Sequence, residues 1–313
     1  MRVVFMGTGD IAVPSFRRLV EAGPVPSLLV TQPDRPVGRH QLLMPPPIKE
    51  LALAAGVPVF QPERVREESA CDEIAALRPE LIVVMAYGQI LPRRLIEIPT
   101  LACINLHASL LPRHRGAACI QGAIDAGDAE TGMTVIHVAM KLDSGDLILD
   151  HRTPIGPQDT GGTVHDRLAE MGPDALAEAL DALAAGRAPR RAQDEQQATY
   201  IGKLGREDGR LDWSRPAARL ERRIRAYDPW PGSFTVFESD GASKRLKVFP
   251  PARVVGGSGD PGEVLAAGED GLVIACGERA LMLESVQPDG SRKMTAGDFV
   301  RGAKVGCGVR MGG

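Results

Sequence analysis

Residues 2–23, RVVFMGTGDIAVPSFRRLVEAG, decide the fold class of this 313-residue chain. The apolar run RVVFMG predicts a short strand, and DIAVPSFRRLVEAG predicts a helix that ends at Gly23. The same alternation recurs further on, where the apolar segments SLLVTQ, VPVF, ELIVVMAYG and LACINLH are separated by helical patterns. Strands that are apolar throughout indicate a sheet that is covered on both faces. The pattern therefore predicts an α/β domain with a mostly parallel, Rossmann-like sheet.

The pattern changes after a helix near residues 163–185. The polar stretch 189–206 predicts a linker. Beyond it one helix, PAARLERRIRAY, precedes five short strands, SFTVFE, KRLKVFP, GEVLAAG, GLVIAC and ALMLESVQ. Short strands separated by Gly, Pro and Asp turns predict a small C-terminal OB-like β-barrel domain. We thus expect an α/β domain at residues 1–188, a linker at 189–206 and the barrel domain at 207–313.

Composition excludes several classes of protein. Hydrophobic residues make up 43% and charged residues 25%, the balance of a globular protein. No apolar run approaches the roughly 20 residues that span a bilayer, and the first ten residues lack the pattern of a signal peptide. The five scattered cysteines never form a CxxC pair, which argues against a disulfide framework or a zinc knuckle. We expect a cytoplasmic protein with no membrane partner, and the net charge of -3 gives no general sign of nucleic-acid binding.

The loop at residues 7–12, GTGDIA, matches the GxGxxA pattern of dinucleotide-binding loops. Asp34 follows about 20 residues later, where a ribose-binding acid could lie. However, Pro33 and Pro36 place Asp34 in a proline-rich loop rather than at a clean strand end. A tight turn between a strand and a helix needs such glycines whatever binds there. Turn geometry is the favoured interpretation, and a nicotinamide-dependent dehydrogenase remains an alternative.

Polar side chains mark the end of the strand at residues 101–107. Asn105 and His107 are two residues apart and therefore point to the same side of the strand. The later loop KLDSGD offers two carboxylates, Asp143 and Asp146. An amide, an imidazole and a carboxylate in one crevice can stabilise an oxyanion and move a proton without a metal. The histidines show no metal-binding spacing, so we expect no metal site.

With these residues identified, the chain resembles the methionyl-tRNA formyltransferases, a family of folate-dependent enzymes. The resemblance runs almost end to end and includes the segments FMGTGDIAVPSF, TQPDRPVGR, LMPPPIKELA, VVMAYGQILP, INLHASLLPRHRGAACIQGAI, GDAETGMTVI, LDSGDLI, DWSRPAARLERRIRAYDPWPGS and PGEVL. The segment at residues 105–116 is specific for folate-dependent formyltransferases. The segment at 212–231 narrows the resemblance to members with a C-terminal domain.

The resemblance implies a reaction and its catalytic residues. The formyl group of 10-formyl-tetrahydrofolate would move to the α-amine of methionine on initiator tRNA. The Asn-x-His pair of the family falls on Asn105 and His107, and its essential aspartate falls on Asp143, not on Asp146. Asn105 and His107 would donate to the developing oxyanion, and Asp143 would hold the imidazole and help relay a proton.

Folate and tRNA contacts follow from the same resemblance. The expected folate-binding residues are Met85, Ala86, Tyr87, Gly88, Gln89, Ile90, Leu91, Ser109, Leu110, Leu111 and Pro112. The expected tRNA-binding residues are Arg39, Arg113, Arg115 and Arg222. Tyr87 could instead pack beneath its loop, and the arginine-rich helix could pair with acids rather than with phosphates. The family often has lysines where this chain has His40 and Gln41, so phosphate contacts there are expected to be fewer.

Besides the dehydrogenase, four other functions remain open from the sequence. A glycinamide ribonucleotide formyltransferase would not need the second domain, whereas a sugar-nucleotide formyltransferase can carry one. A formyl-folate hydrolase would use water as the acceptor. A tRNA-binding module without activity would not need the intact trio Asn105, His107 and Asp143. We expect a monomeric enzyme whose partners are initiator methionyl-tRNA and the folate co-substrate.

Overall fold

The computed structural model describes residues 1–37, 42–239, 241–303 and 305–312. The chain divides into two compact units. Unit 1 consists of Met1–Cys119, Glu130–Pro154 and His165–Gly202. Unit 2 consists of Ile120–Ala129, Ile155–Val164 and Lys203–Gly313. The domain boundaries at 188 and 207 that the sequence suggests stay a prediction.

The first two-thirds of the chain alternates strands and helices, as the sequence predicts. The elements are β1 (Val3–Gly7), α1 (Val13–Ala22), β2 (Leu28–Val30), β3 (Arg35–Val37), β4 (Leu42–Met44), α2 (Pro47–Ala54), β5 (Val59–Phe60), α3 (Glu68–Ala76), β6 (Leu81–Met85), α4 (Arg93–Ile96), β7 (Ala102–His107), α5 (Cys119–Ala126), β8 (Glu130–His137), β9 (Leu147–Pro154) and α6 (Gly161–Ala184). Among the helices of the described ranges, none is both long enough and apolar enough to cross a lipid bilayer.

Unit 1 is built on a seven-stranded sheet with the strand order β5-β2-β1-β6-β7-β8-β9. The first five strands are parallel, β8 runs antiparallel to β7, and β9 runs antiparallel to β8. Every residue of β1 and β6 is buried, as their continuous apolar sequences require. The mostly parallel α/β fold predicted from the sequence is confirmed.

The register of the central strands brings three loops to one edge of this sheet. Gly7 at the end of β1 lies beside Met85 at the end of β6. Val84 in turn pairs with Asn105, two residues before the end of β7. Because parallel strands end at the same edge, the loops that follow β1, β6 and β7 begin side by side. Ligands of open α/β sheets bind at such an edge.

Residues 189–201, which the sequence predicts as part of a linker, form a strap that is bound to unit 1. Leu147 and Arg191 exchange two backbone hydrogen bonds, of 2.8 and 3.2 Å. Further along, the N–H of Ile201 donates to the carbonyl of Arg115 at 2.8 Å. The polar composition of the segment indicates exposure, but it does not reveal that its backbone groups are paired. The strap is therefore an ordered part of unit 1.

Unit 2 contains an antiparallel sheet with the order β10-β11-β14-β13-β12, and β15 pairs with β14. Its elements are α7 (Ala217–Ala226), β10 (Ser233–Ser239), β11 (Ala242–Val255), β12 (Val264–Gly268), β13 (Gly271–Ala275), β14 (Ala280–Pro288), β15 (Met294–Thr295) and α8 (Ala296–Ala303). Helices α7 and α8 contribute to the hydrophobic core of this unit through Leu220, Ile224 and Phe299. The five predicted strands are all present.

The two edges of this sheet are joined by residues 308–312. The N–H of Gly312 donates to Val236 in β10, and the N–H of Val264 in β12 donates to Val309. One segment thus satisfies backbone groups on both edge strands, which leaves these edges shorter and less open to pairing with other chains. The antiparallel β-rich domain is as expected, and its specific assignment as an OB fold stays a prediction.

Candidate active site

Asn105 and His107 lie on β7 at the edge where the loops begin. Asn105 is half-buried, and its side-chain amide has no hydrogen-bond partner within the described part of unit 1. His107 is only 7% exposed. Because buried polar groups in proteins are normally paired, the unpaired amide of Asn105 is available to a bound group.

The surroundings of His107 favour its charged form. Its Nε2 lies 3.1 Å from the carbonyl oxygen of His114, and its Nδ1 lies 3.7 Å from Oδ2 of Asp143. Burial lowers the pKa of His107, but the side chains of Cys119 and Asp143 act in the opposite sense. Together with the His114 carbonyl they raise the pKa to about 9, which favours the protonated ring.

Asp143 reaches His107 from the loop between β8 and β9. Its Oδ2 accepts a hydrogen bond from the N–H of Gly116 at 2.8 Å, and its side chain is 12% exposed. The backbone of Asp143 has a positive φ of 49°, a conformation that a non-glycine residue adopts at a cost. Asp146 instead faces Arg190, at 3.7 Å, and is 40% exposed. The structure thus brings Asp143, and not Asp146, to the imidazole.

The loop after β6 divides into buried and exposed residues. Met85 and Tyr87 are 1% and 2% exposed, and Tyr87 belongs to the hydrophobic core under the loop. Ala86, Gly88 and Ile90 are exposed, and Ile90 is 83% exposed. Alternate residues of this loop therefore present an uncharged surface next to β7.

The remaining predicted folate contacts of that loop, Gln89 and Leu91, are half-buried. Gln89 is occupied within the protein, because its Oε1 accepts from the N–H of Val65 at 2.7 Å and its Nε2 donates to Glu63. Its side chain therefore fixes the neighbouring loop rather than extending toward β7.

The turn after β7 carries the other four predicted folate contacts. Ser109 is fully buried, and its Oγ donates to the carbonyl of Arg113 at 2.8 Å, closing the turn. Leu111 is buried, whereas Leu110 and Pro112 are half-buried. The hydroxyl of Ser109 thus shapes the turn, and a ligand would meet the apolar side chains that follow it.

The four arginines predicted to contact tRNA are in different environments. Arg39 lies outside the described residues, and Arg113 is exposed. Arg115 is fully buried. Arg222, in unit 2, is half-buried, and its Nε donates to the backbone carbonyl of Asp125 at 3.3 Å. Of the three described arginines, only Arg113 presents an exposed guanidinium.

The rest of the arginine-rich helix α7 is also engaged within unit 2. The Nη2 atoms of Arg219 and Arg223 both lie 3.1 Å from Oδ2 of Asp125. Arg225 pairs with Glu221 on the same helix. Pairing with acids, one of the two possibilities left open by the sequence, is what this helix face shows.

In the glycine-rich loop after β1, and at Asp34, the protein's own side chains make the contacts that a dinucleotide would need. A Cβ on Gly7 would lie 2.7 Å from the Phe5 ring, so a glycine is needed to pack this turn. The carboxylate of Asp34 is held by Lys49 at 2.8 Å and by Gln61 at 2.7 Å. These contacts support the interpretation as turn geometry over the dinucleotide alternative.

Sequence reasoning missed several groups that shape this site. Gln193 and Tyr200, both on the strap, contact Arg115, and Cys119 at the start of α5 lies near His107. In the sequence, Cys119 is marked only by its proximity to the Asn-x-His segment. Nothing in the sequence marks the two strap residues. In the described ranges no group of three or more His, Cys, Asp or Glu side chains could hold a metal ion.

Comparisons with known proteins give the family. The "Formyl transferase" family matches residues 1–180, and "Formyl transferase, C-terminal domain" matches residues 203–304. A methionyl-tRNA formyltransferase of Akkermansia muciniphila is 52% identical over 304 residues, which cover 96% of each chain. The chain belongs to the methionyl-tRNA formyltransferase family. It is therefore a formyl-transferring enzyme.

Two further comparisons agree with that membership. A methionyl-tRNA formyltransferase of Marinobacter nauticus is 47% identical over 305 residues, with 97% of each chain covered. The crystal structure of HypX from Aquifex aeolicus in complex with tetrahydrofolic acid has a TM-score of 0.59 at 19% identity. That match covers 96% of this chain and 47% of HypX. At this identity the likeness to HypX shows a shared fold only.

Proposed function

We propose that this enzyme transfers the formyl group of 10-formyl-tetrahydrofolate to the α-amino group of methionyl-initiator tRNA. Family membership supports the acceptor, because the relatives that match the whole chain are methionyl-tRNA formyltransferases. The observation that carries the chemistry is the approach of Asp143 to the buried His107, whose pKa is raised, beside the unpaired amide of Asn105.

These residues suit attack of an amine on a formyl carbon. Negative charge then develops on the formyl oxygen, and donors that are already oriented stabilise it. Asn105 supplies an amide N–H, and the His107 imidazolium supplies a positive charge beside it. The Asp143 carboxylate holds the imidazolium in place, accepts the proton that the amine releases and returns it to the departing folate nitrogen. The folate supplies the activated formyl group.

The surface beside β7 suits a folate substrate. A flat heterocycle is held by apolar surface together with a few backbone groups. The exposed residues Ala86, Gly88 and Ile90 and the half-buried Leu110 and Pro112 carry no charge. We assign the folate to this surface, with Met85, Tyr87 and Ser109 acting from beneath it. The protein is proposed to work without a metal, as a monomer, in the cytoplasm.

The proposed tRNA contacts are chosen by how exposed the predicted arginine side chains are. A phosphate can reach the exposed Arg113, whereas Arg115 is fully buried and Arg222 is half-buried. We therefore propose that Arg113 contacts the acceptor end of the tRNA, and we retain Arg39 as a second contact predicted from the sequence.

The test is formyl transfer from 10-formyl-tetrahydrofolate to three acceptors in parallel: methionyl-initiator tRNA, glycinamide ribonucleotide and water. We expect formyl product on the tRNA alone. Release of formate without an acceptor, or transfer to the small amine, would keep the catalytic residues but overturn the proposed acceptor.

A further inference from the structure

The strap meets the catalytic loop at several side chains: Glu195 pairs with Lys141, Arg190 lies near Asp146, and Gln193 reaches the loop backbone. Nε2 of Gln193 donates to the backbone carbonyl of Asp143 at 2.8 Å and to that of Gly145 at 2.7 Å. One amide therefore fixes two carbonyls of the loop that carries the catalytic carboxylate. Neither carbonyl is part of a strand, so this amide replaces the pairing that a regular element would give.

The other end of the same amide is bound by a buried arginine. Oε1 of Gln193 accepts from Nη2 of Arg115 at 2.7 Å and from Nε at 3.2 Å. Arg115 also donates to Glu195 and to the hydroxyl of Tyr200, each at 2.7 Å. All its partners lie on the strap, and together they satisfy a guanidinium that would be costly to bury alone.

Arg115 is also covalently next to a ligand of the catalytic carboxylate. The following residue, Gly116, donates its N–H to Oδ2 of Asp143, the oxygen that faces His107. Asp143 is thus held from two directions, by Gly116 at its carboxylate and by Gln193 at its carbonyl. The positive φ of Asp143 persists only where the surroundings enforce it.

We propose that Arg115 and Gln193 are positioning residues for formyl transfer, which act by holding Asp143 in the conformation that meets His107. This inference rests on the proposed function for its kinetic consequences. It reassigns Arg115 from tRNA binding to the internal structure of the site. It also makes the strap part of the catalytic unit rather than a spacer between domains.

The test compares Gln193→Met with Gln196→Met. Gln196 is exposed on the same strap, and its hydrogen bond to Asp194 comes from its backbone N–H. For Gln193→Met we expect kcat to fall at least about tenfold while KM for either substrate changes less than about threefold, because the folate and tRNA surfaces are untouched. Gln196→Met should match the wild type in both constants.

A second readout does not depend on the reaction. If Gln193 holds Asp143, its loss weakens the interaction that favours the imidazolium, and the pKa of His107 falls by about half a unit or more. An NMR titration of the His107 ring measures this in each variant. If the wild type fails to formylate tRNA, the proposed function fails, and the titration still decides the positioning role.

Arg115→Lys provides a second variant, since it keeps the charge but loses the two-point contact with Gln193. We expect the same lowered kcat and the same lowered pKa of His107 as in Gln193→Met. A folded Gln193→Met or Arg115→Lys protein with wild-type kcat and an unshifted His107 titration would overturn the inference. A rise in KM with an unchanged kcat would also overturn it.

Discussion

At the scale of single residues, the proposed site contains Asn105, the only asparagine in the sequence. It lies in a strand, where asparagine is disfavoured, and its amide is unpaired within the described part of unit 1. A role in binding an oxyanion explains both facts. Residue type and spacing predict Asn105 and His107 as candidates but leave Asp143 and Asp146 both open. The resemblance to the family selects Asp143.

Replacing Asn105 or His107 tests the proposed role in stabilising the oxyanion. Asn105→Ala and His107→Ala should each lower turnover on the order of 100-fold, the typical cost of losing an oxyanion donor. His165→Ala, at a histidine that pairs with Asp166 on the surface, serves as the matched control and should leave turnover unchanged. A folded His107→Ala protein with near-normal turnover would contradict the assignment. Labelling with ¹⁵N-asparagine gives one pair of side-chain amide signals, which should shift when folate binds.

The raised pKa of His107 also predicts how stability depends on pH. The folded-state pKa of about 9 exceeds the usual value of 6.5, so protonation stabilises the native state. This contribution, about 3 kcal/mol at most, is complete below pH 6.5 and disappears as the pH rises through 9. Hydrogen exchange of the β7 amides, corrected for intrinsic rates, should show this loss of stability in the wild type. The His107→Gln variant should not show it. A His107 ring that titrates near its usual value would contradict the prediction.

At the scale of elements, Gly116 connects the catalytic segment to the strap. A Cβ at this position would lie 2.3 Å from the carbonyl oxygen of Ile201, and φ is +105°. Gly116→Ala should therefore push the strap away and lower the free energy of unfolding by roughly 2–3 kcal/mol. Trypsin cleavage at Arg190 and Arg191 should become faster. Gly202→Ala, where a Cβ meets open space, is the control, and equal cleavage rates in the two variants would contradict the steric argument.

The strap also shows what the sequence could not predict. Strands such as β1 and β6 are recognised because their apolar runs match a fully buried environment. Strand β9 is mixed, with buried residues between exposed and half-buried ones, and gives no such signal at the edge of the sheet. The strap is stabilised by hydrogen bonds from Gln193 and by backbone pairing at Leu147, neither of which changes the hydropathy pattern. Polar segments that are fixed in this way look like linkers in the sequence.

At the scale of the whole molecule, a net charge of -3 must be reconciled with a polyanionic substrate. Long-range attraction is weak in such a protein, so binding must rely on a few local cations. On α7 the guanidinium groups of Arg219 and Arg223 share the single carboxylate of Asp125, which balances one of their two charges. The affinity for tRNA should therefore depend less steeply on salt than that of a strongly basic protein.

Arg113→Gln tests this view directly. The substitution should weaken tRNA binding and reduce the slope of log Kd against log salt by about one, as expected for one lost phosphate contact. Arg17→Gln, at an exposed arginine on α1, is the control and should leave the slope unchanged. An unchanged slope in Arg113→Gln would mean that this arginine does not contact the phosphate backbone.

The strap also has a consequence for the time at which the enzyme becomes active. Arg115 and Tyr200 are bonded across 85 positions of the chain, whereas the strands of the unit 1 sheet are complete at Pro154. Contacts so distant along the chain form late, because the intervening segment must be made and closed into a loop first. During synthesis the sheet can assemble from its N-terminal end while Gln193 is still inside the ribosome. A nascent chain can thus form the sheet of unit 1 before the strap is available to hold Asp143 against His107.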